Sequence, residues 1–174
     1  MKPAEIVQLG AAILRETAVP VVDFESAQLW QQVEQMLAIL TSAKGVGLAA
    51  PQLGYSICVI IVASKPSSRY PNAPLMSPVV MINPVFTPVS NQVEKDWEGC
   101  LSIPGVRALV PRYKEIAVQY ADREGKLQTR QLEGFVARIF QHEYDHLQGM
   151  VYLDRVENNR DIISETEFFK LIAV

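Results

Sequence analysis

The apolar positions of this chain recur with a helical period toward its ends and in short β-branched runs between them. From about residue 24 to 43, Phe24, Leu29, Val33, Met36, Leu37 and Leu40 recur at three- and four-residue spacings. With Asp23 or Ser26 available as a cap, the pattern predicts an amphipathic helix that Lys44-Gly45 closes. Ile57-Cys58-Val59-Ile60-Ile61-Val62 is a run of strand length without polar positions, which predicts a strand buried on both faces. Pro66, Pro71, Pro74 and Pro78 follow and predict a loop over 65–78, because proline lacks the N–H that a helix or central strand requires. Val79–Ile82, Val93–Trp97, Ile116–Tyr120 and Leu127–Leu132 read as short strands, the last two joined by Asp122-Arg123-Glu124-Gly125 as a hairpin. From Phe135 to Leu147 the period is helical again, with Gly149 as C-cap. Phe135 and Ile139 share a face with His142 and His146, while Val136, Phe140 and Leu147 fall on other faces, so this helix is expected to be buried. A short amphipathic helix is expected from Ile162 to Ala173, with no chemistry assigned to it. Strands followed by a separate helix give an α+β fold: small antiparallel sheets of short strands around one buried helix, in a single domain spanning residues 1–174.

Composition adds mainly exclusions. A chain of 174 residues that is 49% apolar can bury a core without disulfides. Its net charge of −3, with no block of one sign, argues against nucleic acid or an anionic membrane as the main partner. No apolar run approaches the roughly 20 residues of a membrane-spanning helix. Two distant cysteines, Cys58 and Cys100, form no disulfide framework, and the first residues do not read as a secretory or transit signal. The expected location is the cytoplasm.

The chemistry concentrates on the second helix. Its two histidines are the only ones in the chain, and they frame Gln141-His142-Glu143-Tyr144-Asp145-His146. Positions i and i+4 share a helical face, so both imidazoles can reach one metal while Glu143 leans over the open coordination position. With no third histidine, the remaining protein ligand is Cys, Asp or Glu. Cys58 lies within an apolar strand and reads as a small buried hydrophobe. Cys100 lies in Trp97-Glu98-Gly99-Cys100-Leu101-Ser102, beside a glycine that allows close backbone approach, and thiolate suits Fe or Zn. The competing completion is an acid downstream, Glu157, Glu165 or Glu167, as in a zinc endopeptidase; the longer three-histidine pattern fails at Tyr152. Gly45-Val46-Gly47-Leu48-Ala49-Ala50-Pro51-Gln52 is a poor phosphate cradle, since its glycine spacing is wrong and no Lys-Ser/Thr follows. It suits an extended substrate lying against bare backbone, with Gln52 aiming an amide at a developing oxyanion.

Together, Gly45–Gln52, Glu98-Gly99-Cys100-Leu101-Ser102 and Gln141-His142-Glu143-Tyr144-Asp145-His146-Leu147 resemble, in order and spacing, the three signature motifs of peptide deformylase. The similarity runs from Ile6-Val7-Gln8-Leu9-Gly10 to Val151-Tyr152-Leu153-Asp154. The resemblance implies an enzyme that removes the formyl group from formyl-methionine at the start of nascent polypeptides and releases formate. It implies one ion per chain, usually Fe(2+), with Zn(2+), Ni(2+) or Co(2+) as substitutes, held by Cys100, His142 and His146. It further makes Glu143 the general base and acid acting on the metal's water, and Gln52 with the Leu101 backbone N–H the oxyanion donors. Peptide binding falls to Gly45, Val46, Gly47, Gly99 and Arg107, and the methionine pocket to Val46, Phe135, Ile139 and the aliphatic part of Arg138. A thiolate ligand leaves iron prone to oxidation, so an oxygen-labile enzyme is expected. A basic C-terminal helix gives some family members transient contact with the ribosome; here Glu157, Asp161, Glu165 and Glu167 stand against Arg160 and Lys170.

Overall fold

A computed structural model describes residues 5–67 and 70–173. Helix α1, Ala27–Ser42, begins at Ser26, whose side chain accepts a hydrogen bond from Leu29 N. Lys44, at a φ of 52°, turns the chain out of it. A five-stranded antiparallel sheet follows in the order β1-β2-β3-β6-β7, built from β1 (Gly47–Ala49), β2 (Val59–Ser64), β3 (Met76–Pro88), β6 (Glu115–Ala121) and β7 (Leu127–Glu133). A second sheet has the order β4-β5-β8, with β4 (Val93–Cys100), β5 (Ile103–Tyr113) and β8 (Ile162–Ser164). Helix α2, Gly134–Leu147, packs against β1 and β2 and also touches β5, and helix α3, Glu165–Ile172, closes the chain against β5.

The period-2 geometry of β2 explains how one strand serves two cores. Ile60 and Val62 face α2 together with Met81, Val118 and Phe140, whereas Val59 and Ile61 face α1 together with Val33, Met36 and Leu40. The β6–β7 hairpin turns at Asp122, whose carboxylate accepts from Glu124 N and Lys126 N. The α+β architecture and the buried second helix are as the sequence predicts. Cys58 is half-buried against the α2 core, and its burial pushes the thiol up to about 11, as expected of a packing residue.

Three expectations need correction. Residues 76–78, assigned to the Pro-rich loop, belong to β3, which lies inside the sheet. Pro78 and Pro84 are tolerated there because register shifts fall between the Val62 and Ser64 pairings, around Pro78, and between those of Ile82 and Val85, around Pro84. At the second shift Asn83 adopts a φ of 49° and its amide bonds both Val21 N and Val21 O, joining the β3 bulge to the segment before α1. Second, β1, β5 and β8 were not expected as strands. Third, the C-terminal helix starts at Glu165; Ile162–Ser164 instead pair with Val106–Ala108 of β5.

Gly149 ends α2 at a φ of 70°, and a Cβ there would stand 2.8 Å from both the carbonyl carbon and oxygen of Arg15. The Gly149→Ala protein is therefore expected to lose about 2 kcal/mol or more of stability from left-handed strain and the backbone clash. Urea unfolding measures this, and a midpoint equal to that of the parent would refute it.

Candidate metal centre

Three side chains converge where α2 crosses the end of β4. Cys100 Sγ lies 3.4 Å from His146 Nε2, and one donor atom from each of Cys100, His142 and His146 lies within 4.8 Å of the others. Metal–sulfur bonds of about 2.3 Å and metal–nitrogen bonds of about 2.1 Å in a tetrahedron put such atoms about 3.6 Å apart, so the spacing fits one ion. Burial lowers the proton affinity of His142, but hydrogen bonding to Cys100 and Glu98 and the charges of Cys100 and Glu143 outweigh it and raise it well above the ordinary value. A divalent cation placed among these groups meets the same attraction in place of that proton.

The acids weighed as alternative ligands are engaged elsewhere. Glu165 pairs with Arg107 at 2.5 Å, Glu157 with Lys95 at 2.7 Å and Glu167 with Lys170 at 2.7 Å. Among the described residues, the cysteine and the two histidines form the only cluster of metal-binding side chains.

Glu143, one residue beyond His142, is 5% exposed, and its Oε2 finds no hydrogen-bond partner among the described residues. Burial is the main force on this carboxyl and pushes it up to about 7. Gly47 in β1 provides its space, since a Cβ there would collide with the Glu143 carboxylate. The Gly45–Gln52 segment thus runs as a strand edge beside Glu143 before entering a short helical turn, Ala50–Leu53. Gln52 is oriented at both ends: its Oε1 accepts from Ala49 N at 2.9 Å, and its Nε2 lies 3.2 Å from Ser102 Oγ and 3.4 Å from Cys100 Sγ.

Sequence reasoning placed Glu98 in a motif but gave it no task. Its carboxylate, 4% exposed, accepts from His142 Nδ1 at 2.8 Å, from Arg112 Nε and Nη2 at 2.9 and 3.0 Å, and from Arg138 Nη1 at 3.0 Å. Burial alone would raise its pKa; the Arg112 charge and the hydrogen bonds from His142 and Arg112 outweigh this and hold the group well below the usual carboxylate range. An ionised Glu98 keeps the proton of His142 on Nδ1 and leaves Nε2 free to ligate. Arg112 continues through Nη1 to Asp145 at 2.6 Å, and Asp145 in turn accepts from Arg155. Arg138, expected to line the methionine pocket with its methylenes, borders the cleft while its guanidinium also donates to the carbonyls of Val110 and Glu94. Recurrence of Glu and Arg in a motif cannot show this network, because its members come from β4, β5 and α2.

A cleft of about 170 Å³ opens from the centre. The structure brings Gly45, Val46, Gly47, Gln52, Gly99, Cys100, Leu101, Arg107, Phe135, Arg138, Ile139, His142 and Glu143 to its walls, with His146 completing the donor set behind them. The wall also includes Tyr70, to which the sequence assigns no role, and Glu165, which the sequence offers only as an alternative metal ligand. Backbone bonds from Val7 N to Gln52 O and from Leu9 N to Ser102 O tie together the two loops that flank the cysteine.

A His-His-Cys donor set with buried histidines and the Glu143 carboxylate beside it defines a mononuclear metallohydrolase. Comparison with known proteins narrows the class. The family model for polypeptide deformylase matches residues 3–161. The chain is 48% identical to a peptide deformylase 2 of Nostoc sp. over 97% of this chain and 94% of that protein, and 49% identical to one of Shewanella oneidensis over 88% and 84%. Among solved structures it resembles the class I type b peptide deformylase of Acinetobacter baumannii bound to Met-Ala-Ser, with a TM-score of 0.84 at 41% identity over 87% of this chain and 97% of that one. The chain belongs to the polypeptide deformylase family and is a metal-dependent enzyme of that family.

Replacing Glu98 by Gln removes the charge that orients His142. Metal affinity is expected to fall about 10- to 100-fold, measured by competition with a chromophoric chelator. Unchanged affinity would mean that Glu98 serves only the ion pairs around it.

Proposed function

We propose that this enzyme removes the formyl group from formyl-methionine at the start of nascent polypeptides, with Cys100, His142 and His146 holding one Fe(2+) in the cell and Zn(2+), Ni(2+) or Co(2+) able to replace it. The observation that carries the reading is the combination of a His-His-Cys donor set with an unpartnered, buried Glu143 beside it. When bound, the ion supplies an acidified water and a Lewis acid for a formamide that resists hydrolysis at neutral pH.

The remaining work falls to the chain. Glu143 takes the proton of the attacking water and delivers it to the amine that leaves, a double task for which a carboxyl poised at about 7 is suited. Gln52 Nε2 and the Leu101 N–H donate to the developing oxyanion; the bond from Ala49 N to Gln52 Oε1 keeps the donating end of the amide turned toward Cys100 and Ser102. The substrate's first side chain enters between Val46, Phe135 and Ile139 over the stem of Arg138. The peptide that follows extends along β1, the edge strand of the larger sheet, where main-chain bonds make few demands on sequence. Gly45 and Gly47 keep that edge bare, and Gly99 leaves room for Arg107 at the other wall. The formyl carbon carries only hydrogen, so a site crowded by Cys100, Gln52 and Glu143 selects it over larger acyl groups.

No helix among the described residues is long and apolar enough to cross a membrane. A cytoplasmic enzyme that meets chains as they leave the ribosome fits the reaction. Its contact with the ribosome would be transient, because the acidic C-terminal segment offers little to RNA.

Nickel-loaded protein is expected to release formate from formyl-Met-Ala peptide, and Glu143→Ala protein to do so about 10²–10⁴-fold more slowly with its metal retained. Formate release by the variant at the parental rate would remove Glu143 from the reaction. Separately, Cys100→Ser is expected to lose metal during dialysis; full occupancy with intact activity would exclude the thiolate as a ligand.

A further inference from the structure

Tyr70 stands at the cleft with no part in the chemistry above. It belongs to the segment between β2 and β3, and its ring meets that of Phe135 at a centroid separation of 4.7 Å and an angle of 47°. Its hydroxyl accepts a hydrogen bond from Arg107 Nη1 at 3.1 Å. Both neighbours belong to the proposed substrate site, Phe135 to the first-residue pocket and Arg107 to the peptide wall. Arg107 is buried and held on several sides. Nη2 donates to Glu165 at 2.5 Å, Cζ lies 5.2 Å from the centre of the Phe168 ring, and Gly99 lies so close that any Cβ would overlap the guanidinium. Only its buried Nε lacks an acceptor among the described residues.

We propose that Tyr70 is a substrate-positioning and specificity residue. Its ring extends the wall of the first-residue pocket beyond Phe135, and its hydroxyl fixes Arg107 in the place from which it meets the peptide. The inference rests on the reading that this cleft receives formyl-methionyl peptides. Two physical arguments support it. An arginine fixed before the peptide arrives loses less side-chain freedom on binding than a mobile one. An aromatic face beside a second aromatic offers an unbranched thioether side chain a large, rigid contact surface, which a short side chain such as alanine cannot use. The segment between the two sheet strands thereby acts through one residue on the selection of the first side chain and on the grip of the residues after it.

The test is calorimetric titration of nickel-loaded parent, Tyr70→Phe and Tyr70→Ala proteins with Met-Ala-Ser, together with kcat and KM for formyl-Met-Ala-Ser and formyl-Ala-Ala-Ser. Tyr70→Phe keeps the ring and is expected to weaken peptide binding and raise KM about 3- to 10-fold with kcat within about twofold. Tyr70→Ala is expected in addition to narrow the preference for formyl-Met over formyl-Ala about tenfold in kcat/KM. Parental binding, KM and preference in both variants would overturn the proposal, as would a fall in kcat alone. A parent that binds Met-Ala-Ser but releases no formate would refute the assigned reaction, and the binding comparison would still decide the role of Tyr70. Absence of both Met-Ala-Ser binding and formate release in the parent would refute both.

Discussion

The buried carboxylate of Glu98 is the point on which the metal centre turns. A charge removed from water to 4% exposure is tolerable only where several donors replace the lost hydration, and four donor atoms from three side chains do so here. Glu98 lies on β4, Arg112 on β5, and both Arg138 and His142 on α2. Satisfying one carboxylate therefore fixes the helix against the smaller sheet in rotation and depth. Cys100 follows two residues later on the same strand, so its sulfur is delivered to the helix face that carries the histidines. A buried ionic cluster of this kind is a doubtful source of stability, because desolvating its members costs as much as their attraction returns. Its contribution is geometric: the wrong tautomer of His142 or a slipped helix would leave a buried charge unanswered.

The two walls of the cleft belong to different sheets, and contacts between them are correspondingly specific. The Gly45–Gln52 wall is an outgrowth of the five-stranded sheet, and the Gly99–Arg107 wall is a turn of the three-stranded one. Backbone bonds from Val7 and Leu9, the amide of Gln52, the Leu101 side chain and the body of α2 cross the gap close to the metal ligands. At each wall a glycine admits a buried charged side chain where a methyl group would not fit, Gly47 for Glu143 and Gly99 for Arg107. These two glycines have ordinary backbone conformations, and close approach alone accounts for them.

The parts of this arrangement that sequence could reveal are those with a local signature. Helical spacing of His142, Glu143 and His146, the apolar run of β2, the Ser26 cap and the Asp122 turn each depend on neighbours within a few residues. What escaped depends on tertiary partners. β5 contains Pro104, Gly105 and Pro111 and lacks an alternating pattern; it is a strand because β4 pairs along it and β8 joins the other edge. Pro78 extends the predicted loop into the start of β3 and confines the predicted strand to Val79–Ile82, although Pro78 and Pro84 both sit at bulges that relieve the missing N–H. The candidate ligands were legible because each motif could be weighed against the number of donors a metal needs. The tasks of Glu98, Arg112 and Arg138 were not, since one carboxylate among nineteen acidic residues carries no mark of which arginines will surround it.

The same distinction bears on the C-terminal segment, which looked uninformative as sequence. Its acids are not a free negative surface. Glu157 and Asp161 answer Lys95 on β4, Glu167 answers Lys170 within α3, and Glu165 answers Arg107. Phe168 packs its ring near Trp97 and under the Arg107 guanidinium. Two residues of α3 thus complete the seat of a cleft arginine, and β8 immediately before it pairs with the stretch of β5 from which that arginine projects. With its charge answered by Glu165, Arg107 presents hydrogen-bond geometry to the cleft more than net charge. On the proposed reading of the cleft, that is the form of recognition suited to a peptide backbone, which is common to every substrate, and the choice of substrate falls to the first-residue pocket and the metal.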